Sequence, residues 1–165
     1  MEALTEPEIR DSFANVTKGE AGRIPMPRDL EAVPWDDLDF LGWRDLGAPD
    51  RSYLVARRID GDPKGVMLRT TSSSKGFLRR SMCSLCYTSH PGDGVALMSA
   101  RKAGQAGRQG NSAGLYICSD LACSLYIRGK KQATPGGRFD ESISVEEQVW
   151  RMTVKLDDFL RKLDV

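Results

Sequence analysis

All four cysteines of this 165-residue chain fall in two close pairs, Cys83-Ser-Leu-Cys86 and Cys118-Ser-Asp-Leu-Ala-Cys123. The pattern is C-x2-C, a 31-residue gap, then C-x4-C, with no cysteine left over. Two thiolates per short loop, with the two loops brought together by the fold, are what a tetrahedral zinc site requires. Such closure constrains the chain tightly, because it joins segments far apart in sequence. The first pair sits in a tight, knuckle-like turn. The second follows a strand-like Leu115-Tyr116-Ile117 and runs into a helix-like segment over residues 120–128. Knuckle, hairpin and helix start outline a treble-clef finger.

Two disulfides are the first alternative, and they need an oxidising compartment. The opening Met1-Glu2-Ala3-Leu4-Thr5-Glu6 has neither the basic nor the apolar region of a secretion signal. No apolar run approaches the ~20 residues of a membrane span. The expectation is therefore a reduced, cytoplasmic chain. A redox C-x2-C is the second alternative, but Cys83 and Cys86 do not open a helix after a buried strand, and the second pair would go unexplained. The lone His90 stands four residues after Cys86 and is able to replace one thiolate. With four cysteines available it is read as a loop residue. Four thiolates leave no open coordination position, so the expected zinc is structural, and its binding contributes directly to folding.

A net charge of +1 conceals a strong asymmetry. Residues 1–63 carry 8 Lys/Arg against 14 Asp/Glu, residues 64–138 carry 12 against 2, and residues 139–165 carry 4 against 7. The finger is thus a cationic block between two acidic flanks. Such a block draws anionic partners, ribosomal RNA or an acidic protein surface, unless the flanks fold back and neutralise it.

Along the chain, Thr5 and Glu8 form a capping box, and Leu4 and Ile9 can staple a first helix over residues 6 to about 14. Residues 18–49 read as irregular, punctuated by Pro25, Pro27, Pro34, Gly42 and Gly47. Within them Trp35, Leu38, Phe40 and Leu41 suggest an apolar turn packed on the core, and Asp36, Asp37 and Asp39 a solvated face. Residues 52–59 and 64–70 form a hairpin about the turn Asp60-Gly61-Asp62-Pro63, followed by a Ser-rich loop over residues 70–75 and the basic pair Arg79-Arg80. Residues 95–100 and 115–118 read as partner strands. The connection between them, residues 101–112, reads as an exposed, mobile, cationic tip. The helix after Cys118 is expected to be capped by Ser119 or Asp120. A second capping box, Ser144 with Glu147, opens an amphipathic helix whose stripe is Val145, Val149, Met152, Leu156, Phe159, Leu160 and Leu163. That stripe is expected to pack on the domain.

No catalytic set is legible. His90 lacks a nucleophile-elbow partner, and Gly104-Gln-Ala-Gly107 has neither strand–glycine–helix context nor a following Lys-Ser/Thr. The fold class expected is α+β: one small mixed domain over 1–165, with helix and hairpin at 1–75, treble-clef finger at 76–138 and C-terminal helix at 139–165.

Ser81-Met82-Cys83-Ser84-Leu85-Cys86, the strand ending Leu115-Tyr116-Ile117-Cys118-Ser119-Asp120, and Cys123 are preceded by Phe40-Leu41-Gly42-Trp43-Arg44-Asp45 and Tyr53-Leu54-Val55. Together they resemble the elongation factor G-binding proteins, the FusB-type fusidic-acid resistance proteins and their relatives, in their C-terminal zinc-finger domain. The resemblance implies a four-cysteine treble clef with Cys83, Cys86, Cys118 and Cys123 as ligands of one structural zinc. It also implies a non-enzymatic protein that binds elongation factor G and promotes its release from stalled ribosomes. The resistance proteins carry a separate N-terminal helical domain. Here one short helix precedes the shared region, so the chain resembles the shorter, single-domain relatives typical of actinobacteria. No motif carries the contact surface. On physical grounds it is expected at the cationic tip and adjoining hairpin: Arg101, Lys102, Arg108, Asn111 and Tyr116. Nucleic-acid binding through the cationic block is the alternative, and with only Tyr87 and Tyr116 nearby it has little support from base stacking.

Overall fold

The apolar residues in the middle of the chain build a sheet whose second strand is buried on both faces. The computed structural model describes residues 1–59, 61–70 and 80–165. The Ser-rich loop beyond Thr70, Arg79 of the basic pair and Asp60 of the hairpin turn lie outside the described residues. Five antiparallel strands run in the order β1 (Phe40–Arg44), β2 (Arg51–Arg57), β3 (Pro63–Thr70), β6 (Val95–Arg101), β7 (Ser112–Cys118). A second, two-stranded sheet pairs β4 (Ser81–Met82) with β5 (Ser89–His90). Helices α1 (Glu6–Ser12), α2 (Lys18–Ala21), α3 (Gly104–Arg108), α4 (Cys123–Ile127) and α5 (Val145–Lys162) complete the chain, with a 3-10 turn at Trp35–Asp37. The class is α+β.

The period-two pattern divides the core. On one face Tyr53 and Val55 of β2 and Leu41 of β1 pack with Leu4, Ile9, Phe13 and Ile24 from the N-terminal segment. On the other, Leu54, Ala56, Val66 and Leu68 meet the four cysteines, Ile117 and the apolar stripe of α5. Met152, Leu156, Phe159, Leu160 and Leu163 of that stripe are buried. Each such side chain contributes about 1.5–3 kcal/mol relative to exposure. The stripe therefore packs on the domain, as its spacing predicts, although Val145 at its start is exposed.

Both expected capping boxes form. Thr5 Oγ1 accepts from Glu8 N–H while the Glu8 carboxylate accepts from Thr5 N–H, and Ser144 and Glu147 do the same. The first helix stops at Ser12, two residues early, because Phe13 leaves to bridge Gly65 of β3 and Ala14 N–H donates to Gly65 O. The segment read as irregular is more ordered than its prolines suggest. It holds α2, opened by a third capping box of Thr17 with Glu20, and β1, which pairs with β2 from Phe40↔Ala56 to Arg44↔Ser52. Residues 40–44 are thus a strand, not part of a turn; Gly42 obscured the alternation of Phe40, Leu41 and Trp43. The apolar packing expected of Trp35, Leu38, Phe40 and Leu41 holds.

Among the described residues β3 and β6 are in register at Arg69↔Ser99 and Thr70↔Met98, and toward Met67 and Arg101 the two strands part. Asn15 fills the gap as a side-chain splint. Its Nδ2 donates to Met67 O and Arg101 O, and its Oδ1 accepts from Met67 N–H. The finger hairpin, β6 with β7, is joined to the N-terminal hairpin through this seam.

Candidate metal centre

The first pair of thiols is presented by a knuckle between β4 and β5. Cys83 N–H donates to Thr88 O at 2.9 Å, and Tyr87 N–H returns to Cys83 O at 3.1 Å. Tyr87 takes the left-handed conformation, φ 57°, that folds the loop back on itself. Leu85 N–H points at Cys83 Sγ from 3.4 Å, a donor suited to a thiolate. The second pair brackets the end of β7 and the first turn of α4. There Asp120 Oδ1 accepts from Ala122 N–H, and Leu121 at φ 58° turns the chain. The helix begins at Cys123, not at residue 120, and neither Ser119 nor Asp120 is its N-cap: that position is Ala122, without a side-chain cap bond. The left-handed Leu121 excludes the helical path expected for residues 120–122.

The four sulfur atoms lie within 4.8 Å of one another and all four residues are buried. Cys83 Sγ is 3.6 Å from Cys123 Sγ, and Cys86 Sγ is 3.5 Å from Cys118 Sγ. Disulfide sulfurs stand at about 2.05 Å, so these are free thiols. Zinc–thiolate bonds of about 2.3 Å give tetrahedral edges of about 3.8 Å. The donor set and its spacing fit one zinc, and Cys83, Cys86, Cys118 and Cys123 would hold it. When bound, the metal ties knuckle, hairpin and helix start together, and four thiolates leave no position for substrate. Within the cluster, hydrogen bonds from the other thiols, Cys118 first, draw the Cys86 thiol well below its ordinary range, and burial pushes that of Cys123 well up.

His90 is not the loop residue expected. It lies in β5, is buried, and sets Nε2 3.6 Å from Cys118 Sγ, with its ring edge-on to Tyr126 at 4.9 Å. It stands behind the thiolates, as a neighbour to the fourfold set. Ser84 N–H donates to Tyr116 O at 2.8 Å, pinning the knuckle to the edge of β7. Arg151 and Lys155 of α5 both lie over the Tyr87 ring, 4.1 Å and 4.2 Å from its centroid. Arg151 is held in turn by a bidentate pair with Glu141. With zinc bound, four thiolates and one metal ion would carry a net negative charge, which these cations would oppose.

Gly42 is a residue that motif reading touched without explaining. A Cβ there would stand 2.6 Å from Leu121 Cβ and 3.2 Å from Leu121 Cδ1. The strand β1 therefore lies flush against the metal loop. The signal for it was a glycine inside an alternating apolar run, which marks close approach.

The predicted contact residues do not form one uniform patch. Arg101, Arg108, Asn111 and Tyr116 are exposed, but Lys102 is half-buried and paired with Asp164 at 3.2 Å. The tip contains α3, and Ala103 N–H donates to Leu163 O, which moors it to the end of α5. Tyr116 faces Leu97 across the hairpin, and both are exposed.

The acidic flanks do fold back on the cationic block. Arg128 is gripped by both oxygens of Asp39 at 2.6 and 2.8 Å. Arg69 pairs with Asp50, Lys130 with Asp37 and Lys102 with Asp164. Asp37 and Asp39 are therefore engaged and do not belong to the solvated face expected of them.

Among the described residues no helix is long and apolar enough to cross a membrane. No curated protein sequence matches the chain. The fusidic acid resistance protein FusC is a structural neighbour at 18% identity and a TM-score of 0.46, over 62% of this chain and 45% of FusC. The chain thus spans less than half the length of FusC, and so distant a likeness carries no argument. The family model for the FBP C-terminal treble-clef zinc-finger matches residues 8–163. With four buried cysteines gathered at the junction of knuckle, hairpin and helix, the chain belongs to the FBP C-terminal treble-clef zinc-finger family.

Proposed function

We propose that the protein is a non-enzymatic, cytoplasmic, single-domain zinc-finger module that binds elongation factor G and modulates its release from the ribosome. The observation that carries this reading is family membership over nearly the whole chain, joined to four buried cysteines placed to bind one metal ion, a donor set suited to shape rather than chemistry. The contact surface we assign is the outer face of the metal-held hairpin with its tip: Arg101, Lys102, Arg108, Asn111 and Tyr116. Tyr116 and Leu97 supply exposed apolar area on that face, and Arg101 and Arg108, which form no ion pair among the described residues, supply its charge. Release follows only if the module prefers the factor's free conformation to its stalled one. Direct binding to ribosomal RNA is the weaker reading, since Arg69, Lys102, Arg128 and Lys130 are matched by flank carboxylates.

The test is a titration of the zinc-loaded chain with purified elongation factor G at low salt. A complex weakened by Arg101→Glu with Arg108→Glu is expected; no complex at all would defeat the proposal. A steep fall of affinity with salt for RNA, without binding to the factor, would favour the nucleic-acid reading.

A further inference from the structure

We propose that the sheet face opposite the metal cluster carries a binding site for a phosphate group, free or borne by a small organic molecule, held by Arg23, Arg51 and Arg69. The three arginines line one cavity of about 260 Å3, together with Glu20, Asp45 and the ring of Tyr53. They arrive from different elements: Arg23 from the turn after α2, Arg51 from the start of β2, Arg69 from the end of β3. Arg51 and Arg69 are register partners and so share one face of the sheet. Directly opposed like charges with Cβ atoms about 4.5–5.5 Å apart destabilise a strand pair. An anion lodged between them reverses the sign of that contact.

Glu20 and Asp45 act at a distance on Arg23 and Arg51, but their oxygens are largely committed to other donors, which leaves the guanidinium N–H groups open. Glu20 Oε2 is occupied by Thr17 N–H and Oγ1–H, both at 2.8 Å, in the capping box of α2. Asp45 Oδ1 accepts from Gly47 N–H and Ala48 N–H, and its Oδ2 accepts from the Tyr53 hydroxyl at 2.8 Å. Asp50 reaches a single nitrogen of Arg69, at 3.0 Å, and leaves the rest of that fork open. Arg23 and Arg51 form no ion pair among the described residues. Guanidinium groups brought to one cavity by three different elements suit a tetrahedral dianion with several acceptor oxygens, whereas a planar carboxylate is filled by one fork. Val16, Ile24 and Met67 line the remainder of the cavity and leave apolar room for a short carbon skeleton. The site is separate from the cysteine cluster, which packs on the other face of the sheet.

The experiment is calorimetric titration of the full zinc-loaded chain with inorganic phosphate and, separately, with glycerol 3-phosphate, at constant chloride. Saturable one-to-one binding is expected. R51Q and R23Q should each weaken it by about tenfold or more, the loss of a charged hydrogen bond. R51Q should melt no lower than the parent without ligand, because it removes the opposed charge. Tighter binding of glycerol 3-phosphate identifies an organic phosphate as the ligand; equal or tighter binding of inorganic phosphate identifies the free ion. Failure of both probes to saturate, or parental affinity in both variants, overturns the proposal.

Discussion

Gly42→Ala is the smallest change that tests whether the sheet and the metal loop form one mechanical unit. A Cβ at residue 42 would meet Leu121 Cβ at 2.6 Å and Phe40 Cε2 at 3.2 Å. Carbon atoms rest at about 3.5–4.0 Å, so something must move by about 1 Å. The obstructing atom is a Cβ, fixed to the backbone, and cannot swing aside as the end of a long side chain would. Leu121 is itself tethered, since its N–H donates to Cys118 O at 2.9 Å and its φ is 58°. Overpacking of this kind costs about 1–3 kcal/mol. Because Leu121 lies between Cys118 and Cys123, part of that cost should appear as weaker zinc binding. If all of it did, affinity would fall about five- to a hundredfold, at 1.4 kcal/mol per tenfold. The assays are urea denaturation of the zinc-loaded protein and competition for zinc with a chromophoric chelator. Leu121→Gly removes the obstructing Cβ and accepts the positive φ without strain. The double mutant Gly42→Ala/Leu121→Gly should therefore be more stable than the sum of its parts, by about 0.5–3 kcal/mol of coupling. Gly42→Ala within about 0.5 kcal/mol of the parent, or a strictly additive cycle, would refute the reasoning.

Serine in place of any one of Cys83, Cys86, Cys118 or Cys123 should abolish stoichiometric zinc by native mass spectrometry, while His90→Ala should keep one zinc per chain; zinc lost from His90→Ala alone would make the imidazole a ligand. Asp157 is 3% exposed and binds Arg58 at 2.5 Å and Arg161 at 2.7 Å, joining α5 to the chain end of β2. Asp157→Ala removes charged hydrogen bonds from Arg58, Ile59 N–H and Arg161 and should cost about 1.5–3 kcal/mol in denaturant midpoint analysis. Burial alone would raise the pKa of Asp157, but the bonds from Arg58, Ile59 N–H and Arg161 outweigh it and hold the carboxyl below its ordinary value. Its contribution is therefore present above the unfolded value of about 3.9 and is lost as pH falls through the lower folded one. Asp157→Asn should flatten that acid limb, and an unchanged pH profile would show that the pair contributes nothing.

The cysteine spacing, the two expected capping boxes and the stripe of α5 were legible because each is a local pattern: ligands a few residues apart, or partners three and four apart on one helix. The strand β1 was not. Its glycine weakens the alternation, and only the pairing with β2 and the press of Leu121 make that glycine necessary. The start of α4 was misplaced for a similar reason: Asp120 and Ser119 have good capping chemistry, but the left-handed Leu121 withholds the helix until Cys123. The acidic and basic blocks were visible as composition. Whether they would meet was not, since Asp39 and Arg128 lie 89 residues apart.

Sequence alone pointed to zinc and to the four cysteines placed to bind it, since four soft donors at two short spacings suit little else where thiols stay reduced. Tertiary structure decided what surrounds that site: a buried imidazole behind Cys118, a strand laid against the metal loop, and flanks that neutralise much of the cationic block. It also decided that three arginines distant in sequence share one cavity. The physical reason is range. Coordination and capping act over a few bonds of chain, whereas packing and ion pairing join residues that only the folded sheet brings within reach.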